Sequence, residues 1–369
     1  MFFLVALLIL VPLDFLAAFA LARIHPRWKR LAAGVAVVCN LMWLFLPWLN
    51  ARTDFSRVVR AVLGPPWFAW LCFALVYCAF LTLVAIAWLP FLRRTPFRAF
   101  ARWPSRIFLW STFVLIAAGI WTALVPLDVR PVPVTLRGLP PQLNGSRIVL
   151  LADLHVGLFT RPSRLRQIFE TVNGIHPDLV LLAGDLIDDD PAFIHKLLAG
   201  VRWLDPSTPL LAVLGNHEMY GAPREVIARL RGTRIHLLVN QGADVGGIWL
   251  AGLSDYAART PDLRPDFDAA LAGRPSNAYP IVVSHQPRAF PEAIRRRLPL
   301  TLCGHSHGGQ CGFRPLHWSL AGLFLPYHMG LYRRGDSQLY VNTGTGYWLL
   351  PWRLGLEPEI TVIELRALR

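Results

Sequence analysis

The sequence predicts an α/β domain that follows a membrane region of four transmembrane helices. Three observations lead to this fold class: the first third of the chain consists of four long apolar runs, the remainder alternates β-rich segments with helical patterns, and five of those segments end in Asp, Asn or His. We therefore predict a membrane region at residues 1–127, a Pro- and Gly-rich linker at 128–146 and the α/β domain at 147–369.

The composition is typical of a membrane protein. Of the 369 residues, 54% are hydrophobic and 16% are charged, below the roughly 25% of charged residues usual in soluble domains. The mean hydropathy of +0.42 excludes a disordered chain. Residues 1–127 hold 12 Lys/Arg and 2 Asp/Glu, so most of the net charge of +14 lies there, in short loops between apolar runs. Such loops orient membrane spans, and we expect no nucleic-acid partner.

The four apolar runs cover Met1–Ala22, Leu31–Leu49, Trp67–Leu92 and Ile107–Leu127. Each run is long enough, as a helix, to cross a hydrocarbon core about 30 Å thick. The first run lacks the basic start of a signal peptide and precedes three more spans. We therefore interpret it as an anchor that is not cleaved.

The loops between the spans predict their orientation. The first and third loops are strongly basic, and the middle loop is less so. The basic residues are Arg23, Arg27, Lys29 and Arg30 in the first loop, Arg52, Arg57 and Arg60 in the middle loop, and Arg93, Arg94, Arg98, Arg102 and Arg106 in the third. The positive-inside rule places the first and third loops in the cytoplasm. We therefore expect a multi-pass protein of the inner or plasma membrane with an extracytoplasmic α/β domain.

Two polar residues, Asp14 and Asn40, lie within or beside the predicted spans. An intramembrane carboxylate suggests a transport pathway as one hypothesis for the spans. A hydrogen bond between helices, or a side chain that faces water, is the more common explanation of such residues. The sequence assigns neither residue a role.

The cysteines do not form a disulfide or zinc framework. Only Cys303 and Cys311 lie outside the spans, and no Cys-x2-Cys pattern occurs. The two residues are compatible with one bridge in an oxidising compartment and with two free thiols.

Polar residues follow five β-rich segments at the points where the strands end. The segments are Arg147–His155, Asp178–Asp188, Leu210–Glu218, Tyr279–Pro287 and Leu298–Gly309. They end, in this order, in Asp-x-His, Gly-Asp, Gly-Asn-His-Glu, Ser-His and Gly-His-Ser-His. Strand carboxyl ends in open α/β sheets meet at one ligand crevice. We therefore expect residues that are distant in sequence to share a site.

The strand-end residues offer carboxylate, imidazole and amide groups and no thiolate in ligand spacing. Such groups suit Mn, Fe, Zn or Mg. A lone His after a strand is usually an ordinary polar residue, but five of the eleven histidines lie in these clusters. Seven candidate ligands exceed one tetrahedral ion and suit two divalent ions bridged by a carboxylate. The candidates are Asp153, His155, Asp185, Asn216, His285, His305 and His307.

The ordered motifs resemble those of calcineurin-like metallophosphoesterases over about residues 145–369. The matching motifs are Asp153-x-His155, Gly184-Asp185-x-x-Asp188, Gly215-Asn216-His217-Glu218, a lone His285 and Gly304-His305-x-His307. The His-Gly-Gly-Gln sequence after the last motif resembles the bacterial membrane-anchored subgroup, and the multi-span N-terminus resembles the transmembrane metallophosphoesterases. The resemblance implies a four-layer α/β/β/α sandwich with the site at one edge of two mixed sheets.

The resemblance also implies residue roles and an activity. One metal would be held by Asp153, His155, Asp185 and His307, and the second by Asp185, Asn216, His285 and His305, with Asp185 bridging. His217 would contact the phosphate and protonate the leaving oxygen, and Asp188 would orient His217, as a carboxylate fixes an imidazole in a triad. The implied reaction is hydrolysis of a phosphodiester, pyrophosphate or phosphomonoester by a hydroxide that bridges the metals.

Two departures bear on the substrate. Asp189 and Asp190 stand where protein Ser/Thr phosphatases carry Arg-Gly, which argues against a phosphoprotein substrate. Apolar, aromatic stretches at Gly312–Leu331 and Tyr347–Trp352 follow the last metal motif. Ordinary core or cap packing would explain these stretches, as would a surface that contacts the bilayer. Because the domain is tethered to a membrane, we expect the latter and a lipid-linked phosphorylated substrate.

The alternative is an inactive membrane scaffold or sensor with the same fold. Such a protein would have no physical need to gather so many desolvated carboxylates and imidazoles. The unbroken set of candidate ligands therefore favours the enzyme.

Overall fold

The computed structural model describes residues 2–49, 54–124 and 127–368. The chain forms two compact units, residues 1–116 and 117–369. Side chains are described from residue 12 onward, except at residues 39, 42–49, 54–68 and 71 and at the positions outside the ranges above.

Long helices make up the first unit. They are α1 (Phe2–Ile24), α2 (Lys29–Leu49), α3 (Asp54–Trp88) and α4 (Phe97–Leu124), the last of which continues into the second unit. Small side chains fill much of their buried interface, including Ala17, Ala36 and Ala74, around the fully buried Tyr77. Small residues let helix backbones approach closely, which is the usual packing mode of membrane helices.

Two stretches of described side chains, Cys72–Phe91 and Phe97–Leu124, are long and apolar enough to cross a bilayer. This finding rests on length and composition. The helices α1 and α2 coincide with the first two predicted spans, but much of their side-chain structure lies outside the described residues. The region of four membrane spans therefore stays a prediction.

Two helices begin earlier than hydropathy predicts. The helix α3 begins at Asp54 and α4 at Phe97, whereas the apolar runs begin at Trp67 and Ile107. Three arginines predicted in the third loop, Arg98, Arg102 and Arg106, consequently lie on α4. Hydropathy locates only the apolar part of a helix, and Arg is itself a good helix former. The carbonyl of Pro96 accepts the N–H groups of Ala99 and Phe100 and so starts α4.

The second unit contains two six-stranded mixed sheets and a short hairpin. Its strands are β1 (Asp128–Leu136), β2 (Arg147–Leu151), β3 (Leu179–Ala183), β4 (Leu210–Val213), β5 (His236–Leu237), β6 (Gln241–Val245), β7 (Ile248–Gly252), β8 (Tyr279–Val283), β9 (Leu300–Cys303), β10 (Gly312–Phe313), β11 (Trp318–Ser319), β12 (Gly330–Arg334), β13 (Ser337–Val341) and β14 (Glu359–Ala367). Its helices are α5 (Pro162–Ile175), α6 (Ile194–Val201), α7 (Asn216–Tyr220), α8 (Pro223–Leu230), α9 (Phe267–Leu271) and α10 (Phe290–Arg295).

The strand orders are β1-β14-β2-β3-β4-β5 in the first sheet and β12-β13-β9-β8-β7-β6 in the second, with β10 and β11 paired as the hairpin. The strands β2, β3 and β4 are mutually parallel, and so are β7, β8 and β9. Their carboxyl ends therefore lie at one edge of each sheet, as expected for a site at strand ends.

Alternating strand residues build three cores. Ile148 and Leu150 of β2 share a core with Ile281 and Leu300 of the second sheet, which places the two sheets face to face. The intervening residues of β2 pack with Phe169 of α5 on the opposite face. A third core joins the other face of the second sheet to α9 and α10. Since side chains alternate faces along a strand, these cores give the four layers α/β/β/α. The predicted sandwich is confirmed.

The predicted linker is partly wrong. Residues 128–136 form β1, which pairs in parallel with β14 along its whole length. Val134 and Leu136 are buried in the core between the sheets. Pro131 and Pro133 are compatible with this strand because β1 lies at the sheet edge, where missing N–H donors on one side do no harm. The prolines that suggested a linker mark an edge strand.

Candidate metal centre

The predicted site residues follow five parallel strands. Asp153 and His155 lie beyond β2, Asp185 lies beyond β3, and Asn216 and His217 lie beyond β4. In the second sheet, His285 lies beyond β8, and His305 and His307 lie beyond β9. The fold thus brings His155 and His307, which are 152 positions apart in the sequence, to hydrogen-bond distance.

The backbone turns sharply at these positions. Asp153, His155, Asp185, His305 and His307 all have positive φ angles, between 43° and 76°. Such conformations cost about 1–3 kcal/mol each for residues other than glycine and persist only when surrounding contacts impose them. The concentration of left-handed residues at the strand ends turns their side chains toward a common centre.

Four buried side chains form one group of candidate ligands: Asp153, His155, Asp185 and His307, whose ligand atoms all lie within 4.8 Å of one another. The Nε2 atoms of His155 and His307 are 3.0 Å apart. The Oδ2 atom of Asp185 lies 3.5 Å from His155 Nε2, and Asp153 Oδ1 lies 3.6 Å from His307 Nε2. Two carboxylates and two imidazoles that face one point suit a divalent cation.

A second group of candidate ligands adjoins the first and shares Asp185. The Nε2 atom of His285 lies 3.1 Å from Asp185 Oδ2 and 3.0 Å from Asn216 Oδ1. The Nδ1 atom of His305 lies 2.8 Å from the same amide oxygen. Asp185 Oδ2 is therefore within 3.5 Å of an imidazole nitrogen in each group. This arrangement fits a carboxylate between two cation positions.

Outer hydrogen bonds set the orientation of two imidazoles. His285 Nδ1 lies 2.8 Å from the carbonyl oxygen of Ala183, which can only accept, so Nδ1 carries the proton. His155 Nδ1 lies 3.2 Å from Asp188 Oδ1 in the same way. With the proton on Nδ1, the other ring nitrogen, Nε2, faces the centre, as in metal-binding histidines.

Burial controls the charges of the centre. It raises the pKa of Asp153 to about 6. It lowers the pKa of His305 to about 3, helped by the nearby charge of His285. His305 is therefore neutral at pH 7, which is the form that binds metal. For His285 burial alone would lower the pKa, but the charge and hydrogen bond of Asp185, together with the charges of Asp153 and Asp255, raise the pKa well above its ordinary value. A cation would stabilise carboxylates buried in this way.

His217 lies beside both groups. Its backbone N–H donates to Asp185 Oδ1 at 2.9 Å, and its ring stands edge-on to His155 with centroids 4.6 Å apart. Burial alone would lower the pKa of His217, but the hydrogen bond to Asp189 and the charge of Asp185 raise it to about 9. The imidazole is therefore protonated at neutral pH and can donate a proton.

The partner of His217 differs from the implied one. His217 Nδ1 lies 2.7 Å from Asp189 Oδ1, whereas the Asp188 carboxylate contacts His155. Asp188 N donates to the carbonyl of Val156, next to the bridge between Val156 and Ile187. The contact with His217 falls to Asp189.

Glu218, which has no role in the site predicted from the sequence, links two loops of the centre. Its buried carboxylate accepts the N–H groups of Asp185 at 3.1 Å, Ile187 at 3.1 Å and Gly215 at 2.6 Å. Burial and the charge of Asp185 raise its pKa to about 7. A detectable signal existed, because a Glu at the third position of a helix can accept the N–H of the N-cap residue, here Gly215, as the Glu of a capping box does.

Gln310 ties the last metal motif to the second aromatic stretch. Its Oε1 accepts the Trp348 N–H at 2.8 Å, and its Nε2 donates to the Trp348 carbonyl at 3.2 Å. The ring of Trp348 lies with its centroid 6.1 Å from that of His217. The aromatic stretch therefore borders the centre.

Cys303 and Cys311 are both free thiols. Cys303 is buried at the end of β9, and burial raises its pKa well above the ordinary value. Of the two alternatives left by the sequence, the structure has the free pair. Neither thiol belongs to the described group of candidate metal ligands.

The sequence profile of calcineurin-like phosphoesterases matches residues 146–309. A transmembrane protein with a metallophosphoesterase domain from Danio rerio is 35% identical over 269 residues, which cover 69% of this chain and 61% of the relative. An uncharacterized metallophosphoesterase of Helicobacter pylori is 34% identical over 250 residues, which cover 67% of this chain and 66% of the relative. Another uncharacterized metallophosphoesterase, from Campylobacter jejuni, is 33% identical over 256 residues, which cover 69% of this chain and 67% of the relative.

The chain thus spans a little under two thirds of the length of the first two relatives. The profile match covers all the candidate ligands and His217. Together with the buried Asp and His groups at the strand ends, these similarities establish that the chain belongs to the calcineurin-like metallophosphoesterase family.

Proposed function

We propose that this chain is a membrane-anchored phosphoesterase that uses two divalent metal ions. The observation that carries the proposal is the position of Asp185 Oδ2, 3.5 Å from His155 Nε2 in one group and 3.1 Å from His285 Nε2 in the other. One ion would be held by Asp153, His155, Asp185 and His307, and the other by Asp185, Asn216, His285 and His305. Bound there, two ions supply positive charge for the phosphoryl oxygens and lower the pKa of a water.

The chain's own residues complete the reaction. His217 is protonated at neutral pH because Asp189 and Asp185 raise its pKa to about 9. It holds its proton at Nε2, facing away from Asp189, and donates it to the leaving oxygen of the ester. Asp188 acts on His155, where it fixes the ring nitrogen that faces the centre.

The substrate that we propose is a lipid-linked phosphate ester or pyrophosphate. Support comes from an exposed set of large apolar side chains, the apolar rim, in the two stretches that follow the last metal motif. The apolar rim comprises Phe313, Leu316, Trp318, Leu323, Phe324 and Trp348. Leu316 is 75% exposed and Phe324 is 81% exposed, so core packing does not explain them. Large exposed apolar groups beside a site are typical of lipid or partner contact.

The proposed location is a multi-pass membrane protein with the phosphoesterase unit on the extracytoplasmic side. Two stretches long and apolar enough to cross a bilayer support membrane insertion. The name of the Danio rerio relative, a transmembrane protein, is consistent with it. The orientation rests on the basic loops and the positive-inside rule.

The test of the activity is hydrolysis of a chromogenic phosphodiester and a chromogenic phosphomonoester by the full chain in detergent, with and without Mn²⁺. We expect metal-dependent turnover that falls by at least about a thousandfold in Asp185→Asn, because charge stabilisation by metal supplies several kcal/mol. His217→Ala is expected to lose about 10²–10⁴-fold, the range of general acid catalysis.

The matched control is Asp336→Asn, which removes an exposed carboxylate paired with Arg137. This variant is expected to keep the wild-type rate. Turnover that is unaffected by Asp185→Asn would contradict the proposed centre. Metal-bound wild-type protein that hydrolyses neither these esters nor phosphorylated lipids would point to the inactive scaffold.

The lipid preference is tested with Leu316→Ser/Phe324→Ser, two changes in the apolar rim. We expect the variant to lose activity on a phosphorylated lipid in vesicles and to keep its rate on the soluble diester. Trp203→Ser, which removes a 44% exposed side chain away from the apolar rim, is the control. Equal loss on both substrates would contradict a lipid-contacting role.

A further inference from the structure

The unit of residues 1–116 contains a cleft lined by arginines and aromatic side chains. This cleft of about 1040 Å³ separates the turn between α1 and α2 from the first half of α4. Four arginines and four aromatic side chains line it: Arg27, Arg98, Arg102, Arg106, Trp28, Trp103, Trp110 and Phe113. We call it the arginine cleft.

The arginines of the cleft have no carboxylate partner among the described ion pairs. Residues 1–116 contain two acidic residues, Asp14 and Asp54. Asp14 is fully buried and accepts hydrogen bonds from Asn40 and Trp70. The four-residue spacing of Arg98, Arg102 and Arg106 places them on one face of α4, where like charges repel. The cleft therefore concentrates positive charge that an anionic ligand would compensate.

Buried hydrogen bonds fix the walls of the cleft. His25 Nε2, in the turn between α1 and α2, lies 3.0 Å from Ser105 Oγ of α4. Ser105 Oγ lies 2.6 Å from the hydroxyl of Tyr77 on α3, and both residues are fully buried. The Arg106 guanidinium stacks 5.0 Å from the ring of Trp103. A cleft held in this way does not need to be formed by its ligand.

The lining changes character along α4. Arg98 and Arg102 lie toward the start of the helix, and the exposed rings of Trp110 and Phe113 lie two to four turns further on. The cleft thus has a cationic end and an apolar end. This polarity matches a ligand with an anionic head group and a hydrocarbon chain.

We propose that the arginine cleft binds an anionic glycerophospholipid of the surrounding membrane, with the phosphate at Arg98, Arg102 and Arg106 and an acyl chain along Trp110 and Phe113. The guanidinium groups supply charge-assisted hydrogen bonds to phosphate oxygens. The proposal depends on the membrane insertion described above and is independent of the hydrolysis reaction.

Native mass spectrometry of the full chain in detergent tests the proposal. The added ligands are phosphatidylglycerol, phosphatidylcholine with the same acyl chains, and glycerol 3-phosphate, which carries the phosphate without chains. We expect phosphatidylglycerol to bind at least about tenfold more tightly than either of the others. Arg102→Gln/Arg106→Gln should weaken its binding at least about tenfold, since each arginine at an anionic lipid surface contributes about a factor of five.

The matched control, Arg93→Gln/Arg94→Gln, removes two exposed arginines that do not line the cleft. It should leave phosphatidylglycerol binding within about twofold. Equal losses in both double variants would show a general charge effect and overturn the proposal. So would equal binding of the two lipids, or binding of glycerol 3-phosphate as tight as that of the lipid.

Two measurements keep these outcomes interpretable. If the double variant is not monodisperse, Arg102→Gln alone replaces it, with an expected loss of about fivefold. The soluble-diester assay on the same preparations reports hydrolysis separately. Failure of the lipid site therefore leaves the phosphoesterase proposal intact, and the converse also holds.

Discussion

The two charged sites of the chain differ in burial: the carboxylates of the metal centre are buried, whereas arginines of the arginine cleft are exposed. In the unit of residues 117–369, Asp153, Asp185 and Glu218 are at most 2% exposed, and each meets an imidazole or backbone N–H groups. In the unit of residues 1–116, Arg98 and Arg102 are exposed and belong to no described ion pair. Buried charges interact strongly and make a missing partner costly, whereas exposed charges interact weakly. Substitutions should therefore perturb stability and chemistry in the first set and ligand binding in the second.

The largest expected effect on stability follows loss of Glu218. Glu218→Ala leaves the N–H groups of Asp185, Ile187 and Gly215 buried without an acceptor. Each unsatisfied buried group costs about 1–3 kcal/mol, so the free energy of unfolding should fall by about 3 kcal/mol or more. Denaturant unfolding in detergent, followed by tryptophan fluorescence, measures the change.

The control for this comparison is Glu225→Ala. Glu225 forms an exposed ion pair with Arg229 at 2.7 Å, and such pairs contribute about 1 kcal/mol or less. A loss for Glu218→Ala no larger than that for Glu225→Ala would contradict the structural role of Glu218.

A smaller effect is expected for Asp188→Asn, which removes the negative charge beside His155 Nδ1. Carboxylates that orient metal-binding histidines contribute about 10–100-fold to metal affinity. Competition with a fluorescent chelator should show that the affinity for the most weakly bound ion falls by this factor. Asp178→Asn, whose carboxylate accepts the Arg147 N–H at 2.7 Å away from the centre, should bind metal as the wild type does. Unchanged affinity in Asp188→Asn would assign Asp188 no part in the centre.

The pH dependence of the hydrolysis rate distinguishes the role of Asp189 from that of Asp188. The reaction needs protonated His217, whose pKa is raised to about 9. The rate should therefore hold at neutral pH and fall as the pH rises through about 9. Asp189→Asn weakens the interaction that raises this pKa, so the fall should begin about one pH unit lower. An alkaline limb that moves with Asp188→Asn and stays fixed with Asp189→Asn would reverse the two assignments.

The smallest effect is expected in the first unit. Arg102→Gln changes an exposed side chain without an ion-pair partner among the described residues. The free energy of unfolding should change by less than about 0.5 kcal/mol. A loss comparable to that of Glu218→Ala, measured by the same unfolding assay, would show that the arginine is structural and remove the contrast between the units.

The strand-end pattern explains why the grouping of the site residues in the second unit could be predicted from the sequence. Parallel strands bring their carboxyl ends together whatever lies between them in sequence, so Asp153, Asn216 and His305 could be placed near one another. The pattern does not determine which way a side chain turns in an irregular loop. The exchange between Asp188 and Asp189 is of this kind, because these neighbouring carboxylates of one loop contact different histidines, His155 and His217.

Other differences between the predictions from the sequence and the structure have similar physical reasons. Hydropathy reports the environment of a segment and not its backbone, so it placed the start of α4 ten residues late, at Ile107 and not Phe97. Proline content suggested a linker at β1, where an edge strand tolerates Pro131 and Pro133. The arginine cleft depends on how two distant segments pack, which periodicity within either segment cannot report.

The most direct test of the account is the number of divalent ions bound per chain. Full-length protein is loaded with Mn²⁺, freed of excess metal and analysed by inductively coupled plasma mass spectrometry, beside Asp185→Asn and Asp336→Asn. Because Asp185 faces both groups of candidate ligands, we expect two ions in the wild type and in Asp336→Asn, and one or none in Asp185→Asn. Two ions in Asp185→Asn, or none in the wild type, would contradict a centre built around Asp185.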